Sequence, residues 1–302
     1  MAKRGPTRLA WVGTILCLLG FQPSEACTLW GAAGDAVEGG GALVAKNRDG
    51  APDHRQELVV LRPPEGYRSV ALMAVGGDAP GIKAGVNEKG LVIVSATAGQ
   101  FPSAERKKIE QKKRLMSHFL ATCASVEELL KQVELMRRPV FYLVGDRAGL
   151  AVIEVAPDGR RSVTRAVSGT LHHTNHYGAI EPPGLKRKPG ASSRLRHDRI
   201  GELLKAPEKP FDLDGFTRFS QDRDAGPDNS IWRTGSDPAK HRTLATWLVS
   251  VPPSGSPRLH LKTADPGKPE RVCRLEVEEA LRLKGGDRIP SGAALCRGPV
   301  KK

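Results

Sequence analysis

The sequence predicts an α+β domain in which two packed sheets are covered by helices. Three observations carry that reading. Aromatic residues make up only 5% of the 302 positions while 33 Gly and 23 Pro punctuate the chain, a composition of many short strands and turns rather than a helical bundle. The hydrophobic pattern runs strands, helices, strands, helices, strands, without the regular β-α alternation of a doubly wound sheet. After the first 26 residues no break in composition divides the chain and no internal repeat is visible, so one large core is expected rather than two.

The elements follow in order. Lys3, Arg4 and Arg8 precede an apolar run from Leu9 to Phe21, and Gln22-Pro23-Ser24-Glu25-Ala26 follows it. That is the layout of a secretory signal peptide, residues 1–26, with Ser24 and Ala26 at the −3 and −1 positions of the cleavage site. The 13-residue run is well short of the ~20 that a bilayer-spanning helix needs, so no stable membrane anchor is expected. The mature chain is expected to be exported, periplasmic or extracellular. Strands are expected at Ala42–Lys46, Glu57–Arg62, Ser69–Val75, Ile82–Val86 and Leu91–Thr97, divided by Gly-, Pro- and Asp-rich turns. Across 104–136, Leu115, Phe119, Leu120, Val126, Leu129, Leu130, Val133 and Leu135 recur near a 3.6-residue spacing, with Ser125 as N-cap, which predicts a pair of helices. Strands resume at Val140–Val144, Leu150–Val155, Ser162–Val167 and Thr170–His176. Helices are expected at Ser192–Lys205 and Phe211–Phe219, and strands at Leu244–Val251, Arg258–Lys262 and Glu270–Glu276. The domain is taken as 27–283, and 284–302 as a basic, poorly packed tail.

Charge and cysteines bound the function. The formal net charge is +14, and loss of residues 1–26, with three cations and one acid, leaves +12. Such a surplus bears on solubility and encounter rather than fold, and no nucleic-acid partner is expected from it. Of the five cysteines Cys17 leaves with the signal, and no Cys-x-x-Cys pair exists to make a zinc ribbon or a thioredoxin-like motif. In an oxidising compartment Cys273 and Cys296 are expected to close a disulfide, and Cys123, in an apolar helical context, to stay a buried free thiol. His172 and His176, ~13 Å apart in an extended segment at roughly 3.3 Å per residue, are too far apart to share an ion. No metal and no cofactor are expected, and the Gly-x-Ser-x-Gly, Walker and Gly-x-Gly-x-x-Gly patterns are missing from the sequence.

Cleavage after Ala26 would make Cys27 the first residue, and an N-terminal cysteine holds a nucleophile and a base together. Its thiol titrates near ~8.5 and its α-amine near ~7.7–8.0, so at neutral pH some of the amine is free to accept the thiol proton. A lipoprotein also begins at a cysteine, but its signal usually has an aliphatic residue where this chain has Ser24.

Cys27-Thr28-Leu29-Trp30, Ala45-Lys46-Asn47-Arg48-Asp49, Gly85-Val86-Asn87-Glu88-Lys89-Gly90-Leu91, His173-Thr174-Asn175-His176 and Ser192-Ser193-Arg194 come in that order. Together they resemble successive landmarks of the N-terminal nucleophile hydrolases, in the branch of choloylglycine hydrolase, penicillin V acylase and isopenicillin N acyltransferase. The resemblance runs from Cys27 to about Glu276. It implies a four-layer αββα sandwich of two mainly antiparallel sheets, and an amidohydrolase that cleaves the C–N bond of a small acylated molecule through a Cys27 thioester. It also implies roles. Asp49 would accept a hydrogen bond from the α-amine; Asn175, through its side-chain amide, and Thr97, through its backbone N–H, would form the oxyanion hole; Arg194 would support the site electrostatically. Each oxyanion donor is worth roughly 3 kcal/mol. Lys46, where bile-salt hydrolases have arginine, and Arg242 are candidate substrate contacts; a lysine lacks the forked donor, which weakens a bile-salt reading. Alternatives are transfer of the acyl group to an amine, or a non-catalytic lipoprotein or binding protein on the same fold. In the Asn-Arg-Asp-Glu type of family a glutamate stands at the position of Gly50.

Overall fold

The computed structural model describes residues 26–76, 80–185, 187–205 and 209–283, with the backbone of Cys296–Arg297. Small and apolar residues let β1 (Cys27–Ala33) and β2 (Ala42–Gly50) lie side by side with every residue buried. β2 includes Lys46, Asn47, Arg48 and Asp49, four polar side chains at 1% exposure or less. Burying such groups is costly unless each finds partners, so a central strand of this composition marks a place where function outweighs packing.

β3 (Arg55–Leu61), β4 (Ser69–Val75), β5 (Gly81–Asn87) and β6 (Val92–Thr97) follow as an antiparallel meander. Where two helices were expected there are three short ones, α1 (Ser103–Lys108), α2 (Leu115–Thr122) and α3 (Val126–Leu130), and a 3-10 turn at Val133–Leu135. Ser125 does cap α3, its hydroxyl accepting the Glu128 N–H at 3.2 Å. Then come β7 (Val140–Asp146), β8 (Gly149–Val155), β9 (Arg161–Ala166) and β10 (Gly169–His173), α4 (Ala191–Lys205), α5 (Leu213–Ser220) and α6 (Gly226–Asn229). β11 (Arg242–Val251), β12 (Arg258–Thr263), β13 (Arg271–Glu276), α7 (Val277–Arg282) and β14 (Cys296–Arg297) complete the order.

The strands form two seven-stranded sheets, β10-β1-β2-β11-β12-β13-β14 and β3-β4-β5-β6-β7-β8-β9, antiparallel throughout. Their inner faces meet in one core that holds Cys27, Leu29, Val44 and Trp247 against Val94, Leu143 and Leu150. Trp30, Leu43 and Leu248 on the outer face of the first sheet pack under Ile200, Leu204 and Phe216 of α4 and α5. Ile93, Tyr142 and Ile153 on the outer face of the second pack under Phe119, Leu120 and Leu129 of α2 and α3. The expected helix–sheet–sheet–helix layering is the one found.

β1 was not among the expected strands, because a strand buried on both faces has no polar–apolar alternation. The tail at 284–302 lies outside the described residues except for β14. Cys273 is disulfide-bonded, and the residue opposite it in the β13–β14 ladder is Cys296. Cys123 is a buried free thiol whose pKa burial pushes up.

Candidate active site

Two polar side chains, Asn175 and Arg196, enclose the start of β1. The Cys27 N–H donates to Asn175 Oδ1 at 2.8 Å, and Arg196 Nη2 donates to the same oxygen at 3.1 Å. Arg196 Nη1 donates to the Cys27 carbonyl at 2.6 Å and to Thr28 Oγ1 at 2.9 Å. A closed ring results, from the Cys27 nitrogen through Asn175 and Arg196 back to the Cys27 carbonyl. Because the side chains of a strand alternate, Cys27 points into the core between the sheets while Thr28 faces α4.

Asn175 sits just beyond β10 and is fixed from several directions. Its Nδ2 donates to the Thr97 carbonyl at 2.9 Å, its N–H to Ser193 Oγ at 2.9 Å, and its carbonyl accepts the Gly99 N–H at 2.9 Å. With donors on one side and a carbonyl on the other, the orientation of the amide is determined by its partners. Behind it, Glu154 of β8 is a buried clamp: its carboxylate binds His173 Nε2 at 2.8 Å and accepts the N–H groups of Gly178, Ala179 and Ile180. Burial works against the charge of Glu154, but His173 and these N–H groups outweigh it and hold the pKa below the usual carboxylate range.

Arg196 is 1% exposed. Burial, together with the neighbouring Arg233 charge, lowers its pKa to about 10, against the pull of Asp49 and Cys27, so it stays a cation at neutral pH. It lies on the buried stripe Ser193, Arg196, Ile200, Leu204 of α4, whereas Arg194 is exposed. Of the two arginines, it is Arg196 whose guanidinium reaches Cys27, and the expected Arg194 does not. The stripe was legible: Arg196 is four and eight residues from Ile200 and Leu204, and Arg194 is off that face.

Asp49 is also placed differently from the expectation. It alternates to the outer face of β2 with Asn47, where its carboxylate accepts Thr243 Oγ1 at 2.7 Å and pairs with Arg233 Nη1 at 3.4 Å. A register shift in β11 between Thr243 and Ala245 aims that hydroxyl. The Asp49 backbone N–H donates to the Ala26 carbonyl at 3.0 Å, so the chain entering Cys27 continues the β1–β2 pairing by one bond. It is Asn175, not Asp49, that takes the Cys27 N–H. At Thr97 the carbonyl meets Asn175, where the backbone N–H was expected to serve.

Lys46 points into the space between the sheets and gives its ammonium to the carbonyls of Lys83 (3.0 Å) and Ser95 (2.5 Å), a strut between the sheets rather than the substrate contact expected. Arg242 donates to the Asp237 carbonyl at 3.1 Å, within its own loop. Arg233, Thr243, Glu154 and Ser193 were not anticipated; each is tied to the site through contacts across the fold that leave no local pattern.

His172 and His176 come closer than extended geometry allowed, since the chain bends after β10 and both rings pack against His197 of α4, one tilted and one edge-on, at 4.5 and 5.2 Å between centroids. No group of three or more metal-ligating side chains is arranged for an ion among the described residues. Burial, then the neighbouring His197 and His173, lowers His172 and His176 to about 4; burial also lowers His197. An unfolded chain takes up these protons near pH ~6.5 and the native chain only near 4, so stability is full above 6.5 and falls as pH drops towards 4. Thermal unfolding is expected to show a midpoint that declines between pH 6.5 and 4.5, less steeply in His197→Phe. A flat midpoint over that window contradicts this.

Residues 37–262 match the family described as acyl-coenzyme A:6-aminopenicillanic acid acyl-transferase. No curated protein matches at a significant level. Among solved structures, one variant of the conjugated bile acid hydrolase of Clostridium perfringens superposes with a TM-score of 0.51 at 14% identity, over 84% of this chain and 93% of that one. A second variant gives 0.52 at 13% identity with the same coverage. An ortholog of N-acylethanolamine-hydrolyzing acid amidase from Caenorhabditis elegans gives 0.50 at 14%, over 76% and 94%. At those identities the likeness is one of fold.

Proposed function

The chain belongs to the acyl-coenzyme A:6-aminopenicillanic acid acyl-transferase family, within the N-terminal nucleophile hydrolase group, and from that membership we propose that it is an exported cysteine amidohydrolase. Cleavage between Ala26 and Cys27 would deliver the chain to the periplasm or the outside with a free α-amine. The observation that carries the reading is the ring of Asn175 and Arg196 around the nitrogen and carbonyl of Cys27.

In the first step Cys27 Sγ attacks the carbonyl carbon of an acyl amide while the thiol proton passes to the α-amine. The tetrahedral intermediate then breaks its C–N bond, the departing amine takes the proton, and a thioester remains. In the second step water, deprotonated by the same amine, attacks the thioester; the carboxylic acid leaves and the thiol is restored. Asn175 Oδ1 orients the amine with a neutral acceptor, and the Arg196 cation beside it disfavours protonation of the base. The Asn175 side-chain amide and the Thr97 backbone N–H are assigned to the oxyanion. The name of the family favours a second reading of the same site, in which an amine replaces water as acyl acceptor.

Substrates are small acyl amides: N-acyl amino acids, N-acyl homoserine lactones or phenoxyacetyl amides, with glycine-conjugated bile salts poorer because Lys46 is engaged between the sheets. A panel of these amides, read by release of free amine, tests the proposal; silence across it from a chain shown to start at Cys27 moves the assignment to acyl transfer or binding. Within the panel, Asn175→Ala is expected to turn over roughly 10²–10³-fold more slowly with KM little changed, as for loss of an oxyanion donor. A rise in KM alone makes Asn175 a binding group.

A further inference from the structure

We propose that His176 is a positioning residue of this reaction: through the Ser193 hydroxyl it holds Asn175 where the Cys27 nitrogen meets it. The inference rests on the amidohydrolase reading of Cys27. Asn175 is gripped at two places from one face of α4. Arg196 takes its side-chain oxygen at 3.1 Å, and Ser193, one turn earlier on the same buried stripe, takes its backbone N–H at 2.9 Å. The side chains on either side of Asn175 in the chain, Thr174 and His176, both turn to that serine.

The hydroxyl protons can be accounted for one by one. Thr174 Oγ1 donates to the Ser193 carbonyl at 2.9 Å, which uses its single proton, so towards Ser193 Oγ (3.0 Å) and His176 Nδ1 (3.2 Å) it can only accept. Ser193 Oγ accepts the Asn175 N–H and has one proton to give; His176 Nδ1, at 2.8 Å, is the nearer of its two acceptors. That assigns a directed chain from the Asn175 N–H through the serine hydroxyl to the imidazole, in which each bond polarises the next.

The ring is what keeps the hydroxyl turned. A serine in a helix otherwise swings back to the carbonyl four residues before it, and here that would strip the Asn175 N–H, in a residue 4% exposed, of its acceptor. The imidazole accepts at Nδ1 only while it is neutral. His176 is packed among His197, Arg196 and Asp198 of α4 and His173 of β10; burial, then His197, His173 and Arg196, lowers its pKa to about 4 against the pull of Asp198. The ring is therefore uncharged at neutral pH, where the α-amine acts. An error of about 1 Å in the placement of such a group costs on the order of 10²-fold in rate.

The test exchanges His176 for two amides of different length in the chain beginning at Cys27. Asparagine puts a polar atom where Nδ1 stands, whereas glutamine puts it where Nε2 stands, out of line with Ser193. On an amide that the parent cleaves, His176→Gln is expected to lower kcat by about 10–100-fold with KM within about threefold, and His176→Asn to stay within about threefold of the parent. His172→Phe alters the same histidine cluster, where the ring packs on His197, and is expected to leave kcat unchanged. Alkylation of Cys27 by iodoacetamide, with peptide mapping to separate it from Cys123, gives a readout that needs no turnover. In the parent and in His176→Asn its pH midpoint is expected below the ~8.5 of an ordinary thiol, because the held amine takes the proton, and in His176→Gln to rise towards that value. Equal kcat for the two amide variants, a loss confined to KM, an equal loss in His172→Phe, or an alkylation midpoint that stays in place in His176→Gln overturns the proposal. Should His176→Gln fail to fold, judged by its thermal midpoint, His176→Ala decides by the same comparisons. A chain that cleaves no amide but whose Cys27 midpoint rises in His176→Gln loses its amidohydrolase function and keeps this assignment, and a chain that cleaves amides equally well in every variant does the reverse.

Discussion

Cys27→Ser is expected to fold as the parent does and to lose turnover by roughly 10³-fold or more. The exchange is nearly isosteric at a site that is 3% exposed, so thermal midpoints should agree closely. The chemical change is large. A seryl hydroxyl is far less acidic than a thiol and intrinsically a weaker nucleophile, so the same α-amine activates it less in a site arranged around sulfur. Steady-state kcat/KM on any amide the parent cleaves, measured with the thermal midpoint, checks this. Retention of activity within tenfold places the nucleophile elsewhere.

Arg196→Leu is expected to lower kcat by about 10²–10³-fold with a smaller effect on KM. The substitution leaves the Cys27 carbonyl, Thr28 Oγ1 and Asn175 Oδ1 without their shared donor and frees the amine to turn. Loss of a buried cation from among its partners also costs about 3–5 kcal/mol of stability. A merely structural role would give that cost alone, so the pH profile decides. With the cation gone the amine protonates more readily, and the acid limb of kcat moves to higher pH; Arg196→Lys should hold the limb near its original position. Arg194→Leu, at an exposed position, is expected to change neither rate nor limb. An unmoved limb in Arg196→Leu removes Arg196 from the set of positioning residues.

Much of the architecture was legible because it is local. Strand Ser69–Val75 was read to the residue, and the α3 cap from Ser125 alone. β1 and the full length of β2 were missed where burial on both faces erased the alternation. Among the candidate site residues, Cys27 was singled out through the signal-peptide boundary and a family landmark. Its partners were found only in part, since Asn175 and Arg196 lie 148 and 169 residues away in the chain. The motif letter points to Arg194, whereas the helical stripe puts Arg196 on the buried face of α4. Strand alternation sends the Asp49 carboxylate to Thr243 and Arg233, a placement that the family motif alone does not carry.

The central claim is that the α-amine of Cys27 is the catalytic base. Two forms of the chain decide it, one beginning at Cys27 and one retaining Met and Ala ahead of it, both verified by intact mass and matched in thermal midpoint. Their turnover is compared on an amide that the first form cleaves. The account predicts that only the form with a free Cys27 amine turns over and that acid quenching traps an acyl group on its N-terminal peptide. Equal turnover by the two forms would contradict it.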